Sequence, residues 1–371
     1  MNPNVPFVLR RPWLLTRDLL QSRARPDVEA LLAVADPEVF LWKILPHAAR
    51  TFAACITLLP AEFARTAAVA YLYCRILDTY EDLIPDPAER ERALAQFGQR
   101  FRVPAGAPPH PAPRIDAARA RDQRDRTHVV LVNRCQLLDA VFHTLTPHLR
   151  QDIAALVEAM AEGMIWSSRA FATQGGVLRD ADQLTRYCRN VIGLPFLFGV
   201  RLQLERHTGA STVPDALRED CLAAGEMVQL ANVTRDIEKD LRRGVAYHPA
   251  LGADLGRSDL DEPALVERIR AVREELLRRA LSLAPAYERM MQALPFGTVS
   301  LARASGVLML LFTDRHYRAC ARRVGYRAWP GPRSTLALML LTFAHFASAR
   351  WSAKTVRRIT GQFTTFPTAR G

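Results

Sequence analysis

Strand signals are scarce in this 371-residue sequence. It has no alternating β-branched run and no Asn-Gly or Asp-Gly turn between apolar segments, which argues against a sheet architecture. Cysteine is sparse and dispersed. Cys55, Cys74, Cys135, Cys188, Cys221 and Cys320 form no CxxC pair, so a thiolate zinc site and a disulfide scaffold are disfavoured, and a reducing, cytoplasmic compartment is expected. No apolar run approaches the roughly 20 residues of a membrane span. The N-terminus, interrupted by Pro3, Pro6 and Pro12, does not read as a signal peptide. Eighteen Gly and 24 Pro follow no collagen-like period, which removes the fibrous class, and the lack of a fixed-period repeat disfavours a helical solenoid.

Acid is the scarcer charge. Asp and Glu number 38 against 50 Lys and Arg, giving a net charge of +12, and every basic residue except Lys43, Lys239 and Lys354 is Arg. Such a balance draws nucleic acid, an anionic membrane face or a phosphorylated substrate. No long basic run and no aromatic, Gly-rich patch of the RNA-binding type is present, and charge alone leaves the three readings open. The most apolar stretch, Leu336 to Ala347, contains His345 and leads into Arg350, Trp351, Lys354, Arg357 and Arg358. It reads as a helix packed on the core, with contact at the inner face of a membrane as the alternative.

What is abundant is helical periodicity on a chain that is 49% hydrophobic. Helices are predicted at about 47–58, 61–83, 87–100, 127–145, 148–172, 180–206, 214–242, 262–291, 297–323 and 334–358. Pro60, Pro147, Pro214, Pro249 and Pro295 fall between them. A segment with five prolines, residues 102–126, is expected to be a mobile surface loop inside one domain. The expected layout is an N-terminal extension (1–30), an all-α domain (31–330), and a C-terminal helix with a basic tail (331–371).

Two of these helices carry matching acidic faces. Tyr71, Arg75, Asp78 and Asp82 make one stripe at i, i+4, i+7 and i+11, and Gln229, Asn232, Asp236 and Asp240 make another at i, i+3, i+7 and i+11. The helices are otherwise apolar (Ala68, Val69, Ala70, Leu72, Ile76 and Leu77; Met227, Val228, Leu230 and Val233), so the carboxylates are expected to line an interior cavity. Like charges one turn apart repel, at about 0.2–0.5 kcal/mol per exposed pair and more when buried. Oxygen ligands without His or Cys suit Mg2+, which shares carboxylates with substrate phosphates. Arg75 and Arg235 beside them can hold a diphosphate through bidentate hydrogen bonds. One such motif alone is usually a solvated acidic face; two on apolar helices, each with an arginine, point to a Mg2+–diphosphate site and a substrate with an oily tail.

Four blocks in order then resemble the squalene/phytoene synthases: ARTFAACITLLP (Ala49 to Pro60), YLYCRILDTYED (Tyr71 to Asp82), YCRNVIG (Tyr187 to Gly193) and QLANVTRDIEKDLRRGVAYHP (Gln229 to Pro249). The resemblance covers roughly Pro46 to Pro249 and continues more weakly to about residue 325. It implies an all-α isoprenoid-synthase bundle around a central apolar cavity. It also implies head-to-head condensation of two farnesyl diphosphates through presqualene diphosphate to squalene, with phytoene, dehydrosqualene or presqualene diphosphate as alternative products. Carried over by position, Asp78, Asp82, Asp236 and Asp240 bind Mg2+. Arg50, Thr51, Phe52, Arg75, Gln229, Asn232 and Arg235 contact substrate, and Tyr187 assists proton transfer; a tyrosine that only satisfies a buried hydrogen bond reads equally well there. Ring faces such as Phe52, Tyr73, Phe196 or Phe198 steady a carbocation. The first acidic motif leans toward the squalene synthase form. Pro295 to Cys320 departs from the segment that binds NADPH in eukaryotic squalene synthases, and no GxGxxG follows a strand, so NADPH enters only if the reductive second step is retained. A monomer is expected. The competing readings are a chain-elongating prenyltransferase or terpene cyclase, which YCRNVIG disfavours; a basic nucleic-acid or lipid module, which leaves the acidic stripes unexplained; and an inactive partner subunit, which the intact aspartates disfavour.

Overall fold

A computed structural model describes residues 5–21, 26–104, 107–332 and 334–366. Residues 1–4 and 22–25 of the expected extension, and 333 and 367–371 of the expected tail, lie outside the described residues. The chain forms seventeen α-helices among those residues: α1 (Phe7–Gln21), α2 (Val28–Leu32), α3 (Pro37–Ala49), α4 (Thr51–Leu58), α5 (Ala61–Leu83), α6 (Pro87–Gln99), α7 (Gln123–Asn133), α8 (Cys135–His143), α9 (Pro147–Thr173), α10 (Ala181–Cys188), α11 (Leu194–Thr208), α12 (Asp215–Arg242), α13 (Pro263–Ser282), α14 (Ala284–Ala293), α15 (Leu301–Arg323), α16 (Thr335–Ala347) and α17 (Ala349–Thr364). Among the described residues there is no strand, only one isolated bridge between Val177 and Ala246. The all-α expectation is met. Internal contacts divide the chain into two compact units, Met1–Ser168 and Arg169–Gly371.

In the first unit, local chemistry sets the helix starts. Asp27, Asp36, Asp86 and Asp122 each accept the N–H three residues on, satisfying a backbone donor that the first turn leaves unpaired. Pro37 and Pro87 occupy the first helical position, where no N–H is needed. The helix α5 is the spine of this unit, with Ala68, Val69, Leu72, Ile76 and Leu77 fully buried. Two predicted helices are broken. The first, 47–58, stops and restarts at Arg50, whose φ of 53° lies outside the helical region. The second, 127–145, breaks at Arg134, whose guanidinium donates to the carbonyls of Leu31, Leu32 and Val34. Parts of the proline-rich segment are tied to the neighbouring helices by hydrogen bonds. His110 N–H donates to the Arg100 carbonyl at 2.8 Å, the Tyr80 hydroxyl donates to the Pro113 carbonyl at 2.6 Å, and Asn133 exchanges two hydrogen bonds with the backbone of Ile115. Arg100, 1% exposed, anchors the whole arrangement through a two-pronged ion pair with Asp139.

In the second unit α12 is the spine, with Met227, Leu230 and Val233 at 2% exposure or less. The predicted helix over 180–206 is interrupted by a π-helical turn, Arg189–Gly193, inside YCRNVIG. Its cause is a close approach: a Cβ on Gly225 of α12 would stand 2.5 Å from Gly193 Cα, so two glycines let the turn lie directly on the helix. Glu226, 2% exposed, fastens the same contact by pairing with Arg189 at 3.3 Å and Arg279 at 2.8 Å. The predicted helix over 262–291 breaks at Leu283, just ahead of Pro285. At the ends of α9 and α12, Gly176 (φ 88°) comes so close to the Gly244 carbonyl that a side chain would collide with it. Ala246 N–H bonds the Gly176 carbonyl at 2.9 Å, and Leu178 N–H bonds the Ala246 carbonyl at 3.0 Å.

Candidate functional site

On α5 the predicted stripe forms as read. The Arg75 guanidinium donates to the Tyr71 hydroxyl at 2.8 Å and pairs with Asp78 at 2.9 Å, with the side chains of Arg75 and Asp78 only 21% and 19% exposed. Burial alone would lower the Arg75 pKa, but Tyr71, Asp78 and Asp82 raise it and keep the charge. Its Nε has no hydrogen-bond partner among the described residues. For Asp78, burial outweighs the attraction of Arg75, and with repulsion from Asp82 it lifts the carboxyl from 3.8 to about 6. Glu81 is pushed further, to about 8, by burial and then by Asp82 and Asp78, although Arg90 and a hydrogen bond from Ser167 oppose the shift.

Phe52, in the first turn of α4, stacks on Tyr71 with ring centroids 5.6 Å apart, so the loop-and-helix block reaches the acidic stripe through its aromatic ring. Arg50 and Thr51 are exposed at the helix junction. The positive φ of Arg50 is a conformation that costs a non-glycine residue about 1–3 kcal/mol and is characteristic of functional positions. Tyr73 does not serve the role expected of a cation-facing ring. It is fully buried, packs edge-on against Phe97, Phe101 and Phe142, and donates to Asp139 at 2.7 Å. At two residues from both Tyr71 and Arg75, it points to the opposite side of α5.

On α12, Asn232 donates to Gln229 at 2.9 Å, and Arg235 grips Asp236 with two hydrogen bonds of 2.9 and 2.6 Å. Asp240 has a 13% exposed side chain, with the nearest Arg243 nitrogen 3.8 Å away. Glu238 leaves this face and pairs with Arg273 at 2.6 Å. The Tyr187 hydroxyl sits 3.0 Å from the Tyr247 hydroxyl, with ring centroids 4.9 Å apart and Phe171 edge-on to both. The glycine-assisted bridge between Val177 and Ala246 puts Tyr247 there. Of the other predicted rings, Phe198 is 9% exposed, and Phe196 packs on Tyr287.

The residues thus fall into two sets. Phe52, Arg75 and Asp78 are joined through Tyr71 in the first unit, where Arg50, Thr51 and Asp82 also lie; Gln229 with Asn232, and Arg235 with Asp236, form contacting pairs in the second, where Tyr187 and Asp240 lie. All four aspartates offer only oxygen, and burial raises the Asp78 pKa despite its pairing with Arg75. This donor chemistry fits Mg2+ and suits no thiophilic metal.

Three neighbours had no assigned role in the sequence. Glu81 stood visible within the motif, but its partner Ser167 is 86 residues away. Tyr247 followed the second motif with no signal that it would meet Tyr187. His128 on α7 is 7% exposed; burial, then Arg75 and Arg124, lowers it to about 3, so its ring is neutral. Its Nε2 has no hydrogen-bond partner among the described residues.

The squalene/phytoene synthase family profile matches residues 45–333. A phytoene synthase from Rhodobacter capsulatus is 25% identical over 255 residues, which is 67% of this chain and 64% of that protein. The squalene synthase BSS of Botryococcus braunii is 28% identical over 212 residues, 54% of this chain and 40% of that one. The chain therefore spans less than two thirds of the length of these relatives. A ligand-bound structure of TcSQS shares the fold at a TM-score of 0.64 and 16% identity, covering 90% of this chain and 93% of the other.

Proposed function

The chain belongs to the squalene/phytoene synthase family, and from that premise we propose that it is a prenyl diphosphate transferase joining two farnesyl diphosphates head to head in a Mg2+-dependent reaction. The observation that carries this reading is the repetition of one device on two helices: a pair of aspartates one turn apart, the first of them held by an arginine, Arg75 on Asp78 and Arg235 on Asp236.

Asp78 and Asp82, and likewise Asp236 and Asp240, are the residues that would hold Mg2+, which when bound neutralises the departing diphosphate. Arg75 and Arg235 offer bidentate forks to phosphate oxygens, and Gln229 and Asn232 add amide donors and acceptors beside them. Arg50 and Thr51 contribute a further cation and hydroxyl to the diphosphate. The buried flank of α5 beside Asp78 keeps water from the allylic cation left when the carbon–oxygen bond of the donor breaks. Phe52 presents a ring face to that cation. The acceptor double bond attacks, a proton leaves, and the cyclopropyl product presqualene diphosphate forms. Tyr187, in contact with Tyr247, passes the proton onward.

Squalene is the favoured end product, because the RILDTYED stretch leans that way; NADPH would be the group to supply hydride. Dehydrosqualene, presqualene diphosphate itself, or phytoene from a longer substrate are the alternatives. In the region that departs from the NADPH-binding segment, Arg303 is 3% exposed and its guanidinium is occupied by four backbone carbonyls. That arginine is therefore not a free cation for a cofactor phosphate. The protein is read as a cytoplasmic monomer.

The test is to incubate purified protein with farnesyl diphosphate and Mg2+, with and without NADPH, and identify extracted products by mass spectrometry. Squalene only with NADPH establishes the full sequence, whereas presqualene diphosphate or dehydrosqualene in both samples removes the reductive step. If neither farnesyl nor geranylgeranyl diphosphate is consumed, the proposal is overturned.

A further inference from the structure

The penultimate helix buries polar side chains and exposes large apolar ones. Toward the protein, α16 carries Leu338, Thr342 and His345 at i, i+4 and i+7, exposed by only 0%, 5% and 0%. Thr342 donates to the Leu338 carbonyl. Burial, then Arg303 and Arg358, lower His345 to about 4, so a neutral imidazole is packed inside. Leu340 and Phe343 stand on the outer side, 65% and 71% exposed, and Trp351 in the first turn of α17 is 53% exposed.

This end of the chain is held firmly. Arg303 donates to the His345 carbonyl at 3.2 Å and the Phe346 carbonyl at 2.9 Å, and Ser300 N–H bonds Phe346 at 3.1 Å. A helix that buries a hydroxyl and an imidazole while leaving Leu340 and Phe343 exposed calls for something apolar to cover those two side chains.

Charge identifies the cover. After Asp314 the sequence contains no Asp or Glu, while it has ten Arg and Lys354. Arg350, Lys354, Arg357 and Arg358 are all exposed on α17. Arg357 makes one pair, at 3.6 Å with Glu288, and neither Arg350 nor Lys354 has an ion pair among the described residues. Aromatic and aliphatic side chains rimmed by cations match an anionic lipid interface, where rings settle at headgroup depth and cations meet phosphate. The first helix also exposes Leu9 and Trp13, but Arg10 and Arg17 beside them are buried at 9% each, so the same rim is not built there. Nucleic acid would use the cations and leave Leu340 and Phe343 uncovered.

We infer that the corner formed by α16 and α17 docks this protein on an anionic phospholipid surface, with Leu340, Phe343 and Trp351 entering the interface and Arg350, Lys354, Arg357 and Arg358 contacting headgroups. The experiment is flotation of the full-length protein with vesicles of phosphatidylcholine alone or of phosphatidylcholine and phosphatidylglycerol in equal parts. No prenyl substrate is present, so the outcome is independent of the catalytic proposal.

The wild type is expected to partition at least about tenfold more strongly onto the anionic vesicles and to be released by high salt. The double variant F343A/W351A should lose about tenfold in partitioning while its circular dichroism and melting temperature stay unchanged, since both side chains are exposed. The charge variant R350E/K354E should lose a similar amount on anionic vesicles only. Equal partitioning of wild type and both variants, or wild-type retention on duplex DNA without vesicle binding, overturns the inference.

Discussion

Replacing Asp78 with Asn should stabilise the metal-free protein while abolishing its activity. In the folded chain the Asp78 carboxyl is lifted from 3.8 to about 6, so at neutral pH its ionised form costs about 3 kcal/mol more in the folded than in the unfolded state. Its side chain retains 19% exposure, and Asn gives up the ion pair with Arg75. The net gain expected for Asp78→Asn is therefore about 1–3 kcal/mol. The sign follows from the direction of the shift. A folded-state pKa above the unfolded one means the penalty is full above about pH 6, declines as the pH falls toward 4, and is absent below that. Urea denaturation in EDTA should find Asp78→Asn more stable at neutral pH and indistinguishable from wild type near pH 4. Saturating Mg2+ with a diphosphate should then narrow the difference: a ligand at 100 times its Kd adds about 2.7 kcal/mol to the wild type, and the variant should gain less. A metal-free Asp78→Asn protein that is less stable at neutral pH, or a difference that persists near pH 4, would refute the account of an under-compensated carboxylate.

Gly225→Ala places a Cβ 2.5 Å from Gly193 Cα and should destabilise by about 1–3 kcal/mol, read as a lower urea midpoint; an unchanged midpoint would mean that the π turn does not depend on that contact. Glu226→Gln removes the charge shared by Arg189 and Arg279 and should cost about 1–3 kcal/mol, measured in the same way. Tyr187→Phe and Tyr247→Phe each remove one side of the hydroxyl pair. Both should lower kcat for presqualene diphosphate by about 10- to 100-fold with KM little changed, and full activity in either would leave Tyr187 as a structural residue. Arg75→Lys retains the charge but loses the fork that reaches Tyr71 and Asp78 together, so it should raise the KM for prenyl diphosphate, checked by steady-state kinetics.

What could be read in the sequence was whatever depends on a short stretch of chain. The helix predicted at 61–83 is α5 with the same limits, because Pro60 starts it and its apolar positions keep the 3.6-residue period. The two stripes follow from the same regularity. Once α5 and α12 are helices, Arg75 must lie beside Asp78, and Asn232 one turn from Gln229.

Where the reading stopped, the deciding partner was distant. Whether Arg134 interrupts a helix depends on free carbonyls about a hundred residues earlier. The loop with five prolines is held because Arg100 and Asp139 find each other across 39 residues. Neither tether leaves a periodic trace.

By itself, then, the sequence determined the all-α class, the placement of the carboxylates on two helix faces, and the residues that mark the family. Tertiary structure alone decided that Tyr73 faces the core, that Tyr187 meets Tyr247, that the π turn lies against Gly225, and that α16 turns His345 inward and Phe343 outward. The physical reason is range. Helix periodicity is set by hydrogen bonds between residues four apart, whereas the side of a helix that is buried, and the partner a buried polar atom finds, are fixed only when distant segments pack together.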